Sequence, residues 1–367
     1  MSHELLQKLD RIHSYPAKFT IDLALNYIEQ YSQKGDTIYD PFVGSGTTLL
    51  ASKILHRNSY GSDINFIAVL ISKFKLLNLT VENFKNLENF ILNFKNSFML
   101  EAENTTLFNY PSIEHWFCDS SIKVLSYIKN CIKNIKDENE MLFCKLVFSS
   151  IINSASNQES DTRYACITKP KLTKDYVGSL FVKKFETTLS LMKELTPYLT
   201  QDYDTKNIPL LFDSKLCDKK IKNNSVDLIL TSPPYPNTYD YYLYHKHRMN
   251  WLDFDVKYTM GAEIGSRREF SSLKRPKEKF DDDMFEILSH ANNLLKIGGY
   301  AILVMGDGKI RGEIYEAKSN MENLCVKLGW DLVDYSYSYL DNTSRSFQKS
   351  YRTKGKKEHI LVFKKVT

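Results

Sequence analysis

The fold is decided by one stretch, Thr37-Ile38-Tyr39-Asp40-Pro41-Phe42-Val43-Gly44-Ser45-Gly46-Thr47-Thr48. Its first three residues favour a β-strand, its two glycines allow a tight turn, and a helix is predicted from Thr47 through Leu55. Glycines let the backbone approach a ligand closely, and a helix N-terminus attracts a carboxylate or a phosphate. No third glycine follows three residues later, so the usual dinucleotide fingerprint is not matched. Taken alone, the turn fits a structural loop as well as a ligand site.

A second strand–helix pair follows this stretch and indicates a parallel sheet. Ser59 to Ile64 is predicted to form a strand, with Asp63 at its tip, and a helix is predicted from Asn65 to Leu77. A carboxylate at such a strand end can bind ribose hydroxyls, although a solvated Asp is the ordinary alternative. The strand–helix–strand–helix order is typical of an α/β fold with crossover connections.

Strand signals return in the last part of the chain. They are Ile208–Phe212, ending at Asp213, then Val226–Leu230, Tyr300–Met305, Trp330–Tyr335 and His359–Phe363. With the two early strands they give about seven strands, of which the final two are compatible with an antiparallel pair. The first 35 residues are predicted to be helical after a short lead. The expected architecture is an α/β sheet covered by helices on both faces.

A long segment between these two parts shows helical periodicity and no clear strand. Apolar residues recur at helical spacing at Phe84, Leu87, Phe90, Ile91 and Phe94, and two similar patterns follow. We therefore predict three parts: residues 1–78 and 205–367 form the catalytic domain, and residues 79–204 form a mostly helical insertion. A polar stretch from Ser154 to Lys174 interrupts this insertion.

Bulk composition excludes several classes of protein. The 367 residues are 43% hydrophobic and 25% charged, with a formal net charge of +5, which permits nucleic-acid binding without arguing for it. The six cysteines, at 118, 131, 144, 166, 217 and 325, form no C-x-x-C pair, so we expect no metal site. No apolar run is long enough to span a membrane, and no signal peptide is evident, so we expect no membrane partner and a cytoplasmic location.

A second chemical signal stands at the tip of a strongly apolar strand, Thr231-Ser232-Pro233-Pro234-Tyr235. The two prolines stiffen the backbone and hold the residue before each of them extended. Such a turn fixes two hydrogen-bond acceptors, the Ser232 hydroxyl and the Pro233 carbonyl, beside the Tyr235 ring. An exocyclic amine of a base needs two acceptors and a stacking face. A rigid loop with a packed Tyr is the alternative, and the turn alone favours it.

Together the two segments resemble the amino-methyltransferases of DNA, the N4-cytosine and N6-adenine family. The resemblance covers residues 10–77 and 206–365, and it includes His13-Ser14-Tyr15-Pro16-Ala17-Lys18-Phe19 and Gly61-Ser62-Asp63-Ile64-Asn65. It implies a Rossmann-like methyltransferase fold and S-adenosyl-L-methionine as cofactor. The residues implied to bind the cofactor are Lys18, Phe19, Asp40, Pro41, Phe42, Gly44, Ser45, Gly46, Thr47, Asp63 and Asp213. The implied catalytic residues are Ser232, Pro233, Pro234 and Tyr235.

The resemblance also implies a reaction and its partners. The target base is flipped out of double-stranded DNA, Tyr235 stacks on it, and Ser232 and the Pro233 carbonyl accept its amine hydrogens. Ser before Pro-Pro-Tyr favours N4 of cytosine, with N6 of adenine as the alternative. A cognate restriction endonuclease is a further implied partner. The oligomeric state is not predicted.

Two other functions stay open at this stage, a methyltransferase acting on a guanine amine of tRNA and a binding module without catalysis. DNA sequence choice is expected from the helical insertion, including its polar segment Ser156–Tyr164, or from the loop between Tyr239 and Lys279. Three basic runs, at 267–268, 274–277 and 352–357, are candidates for phosphate contacts, although solvated surface is their usual meaning.

Overall fold

The apolar runs of the sequence form one seven-stranded sheet in the computed structural model, which describes residues 2–16, 18–170, 172–199, 205–339 and 357–367. The strands of the described ranges are β1 Thr37–Asp40, β2 Asn58–Asp63, β3 Gln158–Ser160, β4 Arg163–Cys166, β5 Asn207–Leu211, β6 Val226–Thr231, β7 Leu295–Gly306, β8 Gly308–Ile310, β9 Glu313–Tyr315, β10 Trp330–Tyr339 and β11 Lys357–Lys365.

Helices make up most of the remaining described chain. They are α1 His3–Asp10, α2 Ile21–Tyr31, α3 Thr47–Ile54, α4 Phe66–Lys75, α5 Val81–Asn104, α6 Ile113–Trp116, α7 Asp119–Lys133, α8 Glu138–Ile151, α9 Lys174–Leu199, α10 Tyr241–Trp251, α11 Val256–Ala262, α12 Glu278–Leu294 and α13 Ala317–Lys327. Two irregular turns add a 3-10 helix, Ser214–Lys219, and a π-helical turn, Arg268–Ser272. No helix within the described ranges is both long and apolar enough to cross a membrane.

The sheet runs in the order β5-β2-β1-β6-β7-β11-β10. Strands β5, β2, β1, β6 and β7 are parallel to one another, and β11 is antiparallel to both β7 and β10. The prediction of a mostly parallel α/β sheet of seven strands with an antiparallel pair at its end is therefore confirmed. Because β1, β2 and β6 are adjacent and parallel, their carboxyl ends meet at one edge of the sheet.

The chain divides into two compact units. The sheet unit contains Tyr15–Ser72, Tyr203–Tyr241 and Thr259–Thr367, and the helical unit contains Met1–Ser14, Lys73–Asp202 and Tyr242–Tyr258. The helical unit thus includes most of the insertion expected at 79–204. It also takes in the N-terminal helix and most of α10, which the sequence interpretation had assigned to the catalytic part.

Aromatic residues at helical spacing form the interior of the helical unit. On α5, Leu87, Ile91, Phe94 and Phe98 are buried along one face. Gly178 of α9 lets Phe98 pack closely, because a Cβ there would lie 2.1 Å from a carbon of that ring. The helical periodicity seen in the sequence therefore corresponds to a packed core.

Three sequence predictions are wrong in detail. The N-terminal region forms two helices, and the chain between them contains Pro16, which disfavours a helix at the preceding residue. The insertion contains the antiparallel pair β3–β4. A second hairpin, β8–β9, was not predicted, and its turn uses Arg311 and Gly312, both at positive φ. Strands of three or four residues are too short to show the two-residue alternation of apolar and polar side chains that predicts a strand.

Candidate functional site

A cavity opens in the sheet unit at the edge where β1, β2 and β6 end. Asp40 is the last residue of β1, Asp63 is the last residue of β2, and Ser232 directly follows β6. The cavity is lined by Tyr15, Lys18, Phe19, Asp40, Pro41, Phe42, Val43, Gly44, Ser45, Thr47, Asp63, Ile64, Asn65, Asp213, Ser214, Lys215, Ser232, Pro234, Tyr241, Thr259, Ala262, Glu263, Ile264 and Ile287.

Asp40 connects the glycine loop with the Pro-Pro-Tyr turn. Its carboxylate accepts hydrogen bonds from the hydroxyls of Thr48, at 2.7 Å, and Thr231, at 2.6 Å, and from the backbone N–H of Phe42, at 3.0 Å. Burial raises the pKa of Asp40 to about 6, although these three donors act in the opposite direction. The two segments singled out in the sequence are thus joined by one buried carboxyl group.

Asp63 fixes the loop that follows β1. One of its carboxylate oxygens accepts the Gly44 N–H at 3.0 Å, and the other accepts the Asn65 N–H at 2.8 Å. Burial raises the pKa of this carboxyl group to about 6 as well. Each carboxylate oxygen has a second lone pair, so Asp63 retains acceptor capacity toward a ligand.

The two glycines of the loop meet different steric demands. Gly44 has φ +48°, and a Cβ there would lie 3.2 Å from a ring carbon of Tyr15. Gly46 has φ +78°, and a Cβ there would lie 2.7–2.8 Å from Ser72, including its backbone Cα. Gly46 is the N-cap of α3 and does not line the cavity. Its part is to let the loop pack against α4.

The Pro-Pro-Tyr turn presents only part of its length to the cavity. Ser232 and Pro234 line the cavity, whereas Pro233 and Tyr235 do not. The Tyr235 ring belongs to the core of the sheet unit and is 8% exposed. Its hydroxyl donates to Glu358 at 2.6 Å, and burial together with Glu358 raises its pKa well above the usual range.

Two tyrosines and a glutamate at the cavity were not among the candidate residues taken from the sequence. The rings of Tyr15 and Tyr241 stack with their centroids 5.8 Å apart, and the backbone N–H of Tyr241 donates to Glu263 at 2.7 Å. Tyr15 lies inside the N-terminal segment that carried the resemblance. Because its neighbours Lys18 and Phe19 were candidate residues, the sequence could have indicated Tyr15 as well. Tyr241 and Glu263 match no family motif, although both lie in the segment from Tyr239 to Lys279 that the sequence analysis singled out.

Acidic groups outnumber basic groups around the cavity. Its lining contains four carboxyl groups and two lysines. One of the lysines, Lys215, forms ion pairs with Asp283 and Glu286. The lining therefore favours a ligand that carries positive charge. The carboxyl groups also supply acceptors for ligand hydroxyl or ammonium hydrogens.

Asp161, within the polar segment expected to read DNA, has a structural contact in the helical unit. Its carboxylate pairs with Arg248, which is 1% exposed. The Arg248 Nε–H also donates to the carbonyl of Ser149 at 3.1 Å. Of the predicted basic runs, residues 352–356 lie outside the described residues, as does Ala17 of the N-terminal segment.

Comparisons with known proteins agree with the resemblance seen in the sequence. A family model described as DNA methylase matches residues 2–74. The chain is 26% identical over 265 residues to Type II methyltransferase M.MvaI of Kocuria varians, covering 67% of this chain and 58% of that protein. It is 29% identical over 277 residues to Type II methyltransferase M.BsoBI of Geobacillus stearothermophilus, covering 66% of this chain and 52% of that protein. The chain thus spans little more than half the length of these curated relatives.

Among solved structures, the rRNA methyltransferase aviRa from Streptomyces viridochromogenes is similar with a TM-score of 0.38 and 12% identity. The similarity covers 99% of this chain and 93% of that one.

Proposed function

We propose that the chain belongs to the DNA methylase family, whose model matches residues 2–74, and that it transfers a methyl group from S-adenosyl-L-methionine to an exocyclic amine of a DNA base. The first choice of atom is N4 of cytosine, because Ser232 precedes Pro-Pro-Tyr. The relatives named above are Type II methyltransferases, so we also propose a restriction–modification role with a companion endonuclease.

The observation that carries the proposal is one cavity bordered by both the glycine loop and the Pro-Pro-Tyr turn. Gly44, Ser45 and Ser232 all line this cavity. The Thr231 hydroxyl bonded to Asp40 fixes the distance between the two segments. A cofactor held by the loop and an amine held by the turn therefore lie next to each other, which is the main requirement for a bimolecular transfer.

The residues of the cavity fit the proposed cofactor. S-adenosyl-L-methionine carries a sulfonium cation, an ammonium group and ribose hydroxyls, and it supplies an activated methyl group when bound. Asp63 is proposed to accept the ribose hydroxyls, and Glu263 is proposed to attract the cationic end. The stacked rings of Tyr15 and Tyr241 add a face that attracts a cation. Lys18, Phe19 and Asp213 complete the proposed binding set, and all three line the cavity.

Catalysis is proposed to come from the turn. The Ser232 hydroxyl and the Pro233 carbonyl accept the two amine hydrogens and orient the nitrogen lone pair for an in-line displacement. A C–N bond forms as the C–S bond breaks, the sulfonium becomes a neutral thioether, and the methylated amine then loses one proton to solvent. Positive charge develops on the amine during the transfer, so fixed acceptors stabilise the transition state more than the neutral ground state. No covalent nucleophile is required.

The DNA partner follows from this chemistry. An exocyclic amine inside a duplex is out of reach, so the base must be flipped into the site. The Tyr235 ring is proposed to border the flipped base through its small exposed part. The helical insertion at 79–204 is proposed to choose the DNA sequence, since it supplies surface that the catalytic sheet does not need.

The test is transfer from methyl-labelled cofactor to double-stranded DNA, with tRNA as a parallel substrate and mass spectrometry of the product nucleosides. We expect label in DNA as N4-methylcytosine. Asp63→Ala should lose most transfer, whereas Asp331→Ala, at an exposed position of β10, should retain it. N6-methyladenine would overturn the choice of base alone, label only in tRNA would overturn the substrate, and no transfer to either would overturn the activity.

A further inference from the structure

The Pro-Pro-Tyr turn is held at both of its ends by hydrogen bonds to carboxylates. At its start the Thr231 hydroxyl donates to Asp40 at 2.6 Å. At its end the Tyr235 hydroxyl donates to Glu358 at 2.6 Å. We propose that Glu358 is a positioning residue for methyl transfer, acting through Tyr235 to hold Ser232 and the Pro233 carbonyl in place. This inference rests on the proposed function.

The Tyr235 ring packs against Gly306 of the sheet, beside Glu358. Glu358 of β11 is paired with Gly306 of β7 in the antiparallel register. A Cβ at Gly306 would lie 2.6 and 2.8 Å from two ring carbons of Tyr235. Any side chain at position 306 would therefore displace the ring. The absence of a side chain there and the acceptor opposite it together define one position for the ring.

The strand end that carries Glu358 is itself fixed by a partly buried hydrogen-bond network around His359. The next residue, His359, contacts Asp307 through Nε2 at 3.0 Å and the Tyr335 hydroxyl through Nδ1 at 2.9 Å. The backbone N–H of Asp307 donates to the carbonyl of Lys357 at 3.0 Å. The start of β11 is thus tied to the chain that leaves β7. Glu358 is held on a rigid strand, as an effective positioning group must be.

The surroundings of Tyr235 favour the hydrogen bond between its hydroxyl and Glu358. Burial and the nearby Glu358 raise the pKa of Tyr235 well above the usual value, so the hydroxyl keeps its proton and remains a donor. A hydroxyl that donates to a carboxylate makes a stronger bond than one that donates to a neutral acceptor. The turn is therefore restrained at position 235 as well as at position 231.

Only one of the two anchors also belongs to the loop around the cofactor. Asp40 accepts from Phe42 of that loop and from Thr48 at the start of α3, whereas Glu358 accepts from the Tyr235 hydroxyl of the turn. Loss of Glu358 should therefore misplace the amine acceptors and leave the cofactor contacts intact. The expected signature is a fall in kcat with little change in the KM for S-adenosyl-L-methionine.

The test combines three variants with a double-mutant cycle. Glu358→Ala should lower kcat roughly 10- to 100-fold, the scale of one charge-assisted hydrogen bond. Glu358→Gln should recover most of the rate, because its amide oxygen still accepts from Tyr235. In a Tyr235→Phe background, Glu358→Ala should cause little further loss, because the bond it removes is already gone. Glu313→Ala, at an exposed position of β9, is the control and should leave kcat unchanged.

Calorimetric titration with the cofactor accompanies each variant, so that a folded chain is verified independently of turnover. Normal kcat in Glu358→Ala would overturn the inference. So would an equal loss of kcat in the wild-type and Tyr235→Phe backgrounds, since Glu358 would then act through the fold in general. An active wild type with either result leaves the proposed function standing. A wild type without transfer overturns the proposed function and the role of Glu358 with it.

Discussion

Gly46→Ala is the substitution whose cost the structure allows to be worked out in two parts. The first part is backbone strain, because Gly46 lies in the left-handed region with φ +78°. An L-residue with a Cβ costs about 1–2 kcal/mol there. The second part is overpacking, because the new Cβ would lie 2.8 Å from the Cα of Ser72 and 2.7 Å from its Oγ. A backbone atom cannot rotate away, so a further cost of about 1–3 kcal/mol is expected.

A second glycine of the same unit separates the two parts. Gly35 has φ +88°, and a Cβ there would meet no atom within 4 Å. Gly35→Ala should therefore cost only the strain, about 1–2 kcal/mol of the free energy of unfolding. Gly46→Ala should cost about 2–5 kcal/mol in total.

Urea unfolding of the two variants beside the wild type measures the difference. Calorimetric titration with the cofactor gives a second readout, because the Ser72 hydroxyl donates to the Gly44 carbonyl at 3.0 Å. If the methyl group introduced by Gly46→Ala displaces Ser72, the loop at Gly44 loses that support and affinity falls, whereas Gly35→Ala leaves affinity unchanged. Equal losses of stability in the two variants would refute the argument that contact with α4 requires Gly46.

Four further outcomes are expected. Asp63→Ala should weaken cofactor binding by roughly 1.5–3 kcal/mol in calorimetry, because a charged acceptor is lost, while Asp331→Ala should not. Asp40 and Asp63 keep their protons up to about pH 6 when folded and lose them near 3.8 when unfolded, so the contribution of each to the free energy of unfolding should fall between pH 4 and pH 7, whereas the buried His13, His245 and His247 act in the opposite direction. The free energy of unfolding of the wild type minus that of Asp63→Asn isolates one carboxyl group and should therefore fall over this range in urea titrations. Exchanging residues 79–204 for the corresponding segment of a related methyltransferase should change which DNA sequence is methylated. The base atom that receives the methyl group should stay the same, and sequencing of modified bases measures both. Ser232→Ala should slow single-turnover transfer roughly 10- to 100-fold, about 1.4–2.7 kcal/mol, with cofactor affinity unchanged.

The sheet was predictable because its inner strands carry a local signal. β1, β2 and β6 are short apolar or β-prone runs that end in Asp or in the Pro-Pro-Tyr turn, and each was predicted to within a residue of its end. The hairpins β3–β4 and β8–β9 were missed because strands of three or four residues show no period. The position of β11 between β7 and β10 depends on pairing between distant residues, which one sequence does not reveal.

The candidate site was predictable where its residues stand at strand ends. Asp40, Asp63 and Ser232 meet at one cavity because the carboxyl ends of adjacent parallel strands meet. Tyr241 and Glu263 were not assigned to the cavity individually, because the segment from Tyr239 to Lys279 that contains them matches no family motif. The partner of Tyr235 was missed for a related reason, since Glu358 lies 123 residues further along the chain.

Asp40 explains why the loop and the turn depend on each other. The hydroxyls that it accepts come from Thr48 of α3 and Thr231 of β6, so one carboxyl group carries hydrogen bonds from both segments. Those donors oppose the effect of burial on its pKa, so removing either of them raises the cost of ionising Asp40. A substitution at Thr48, at the start of α3, therefore weakens the hold on Thr231 as well. The position of the turn is thus set partly by residues that follow the glycine loop.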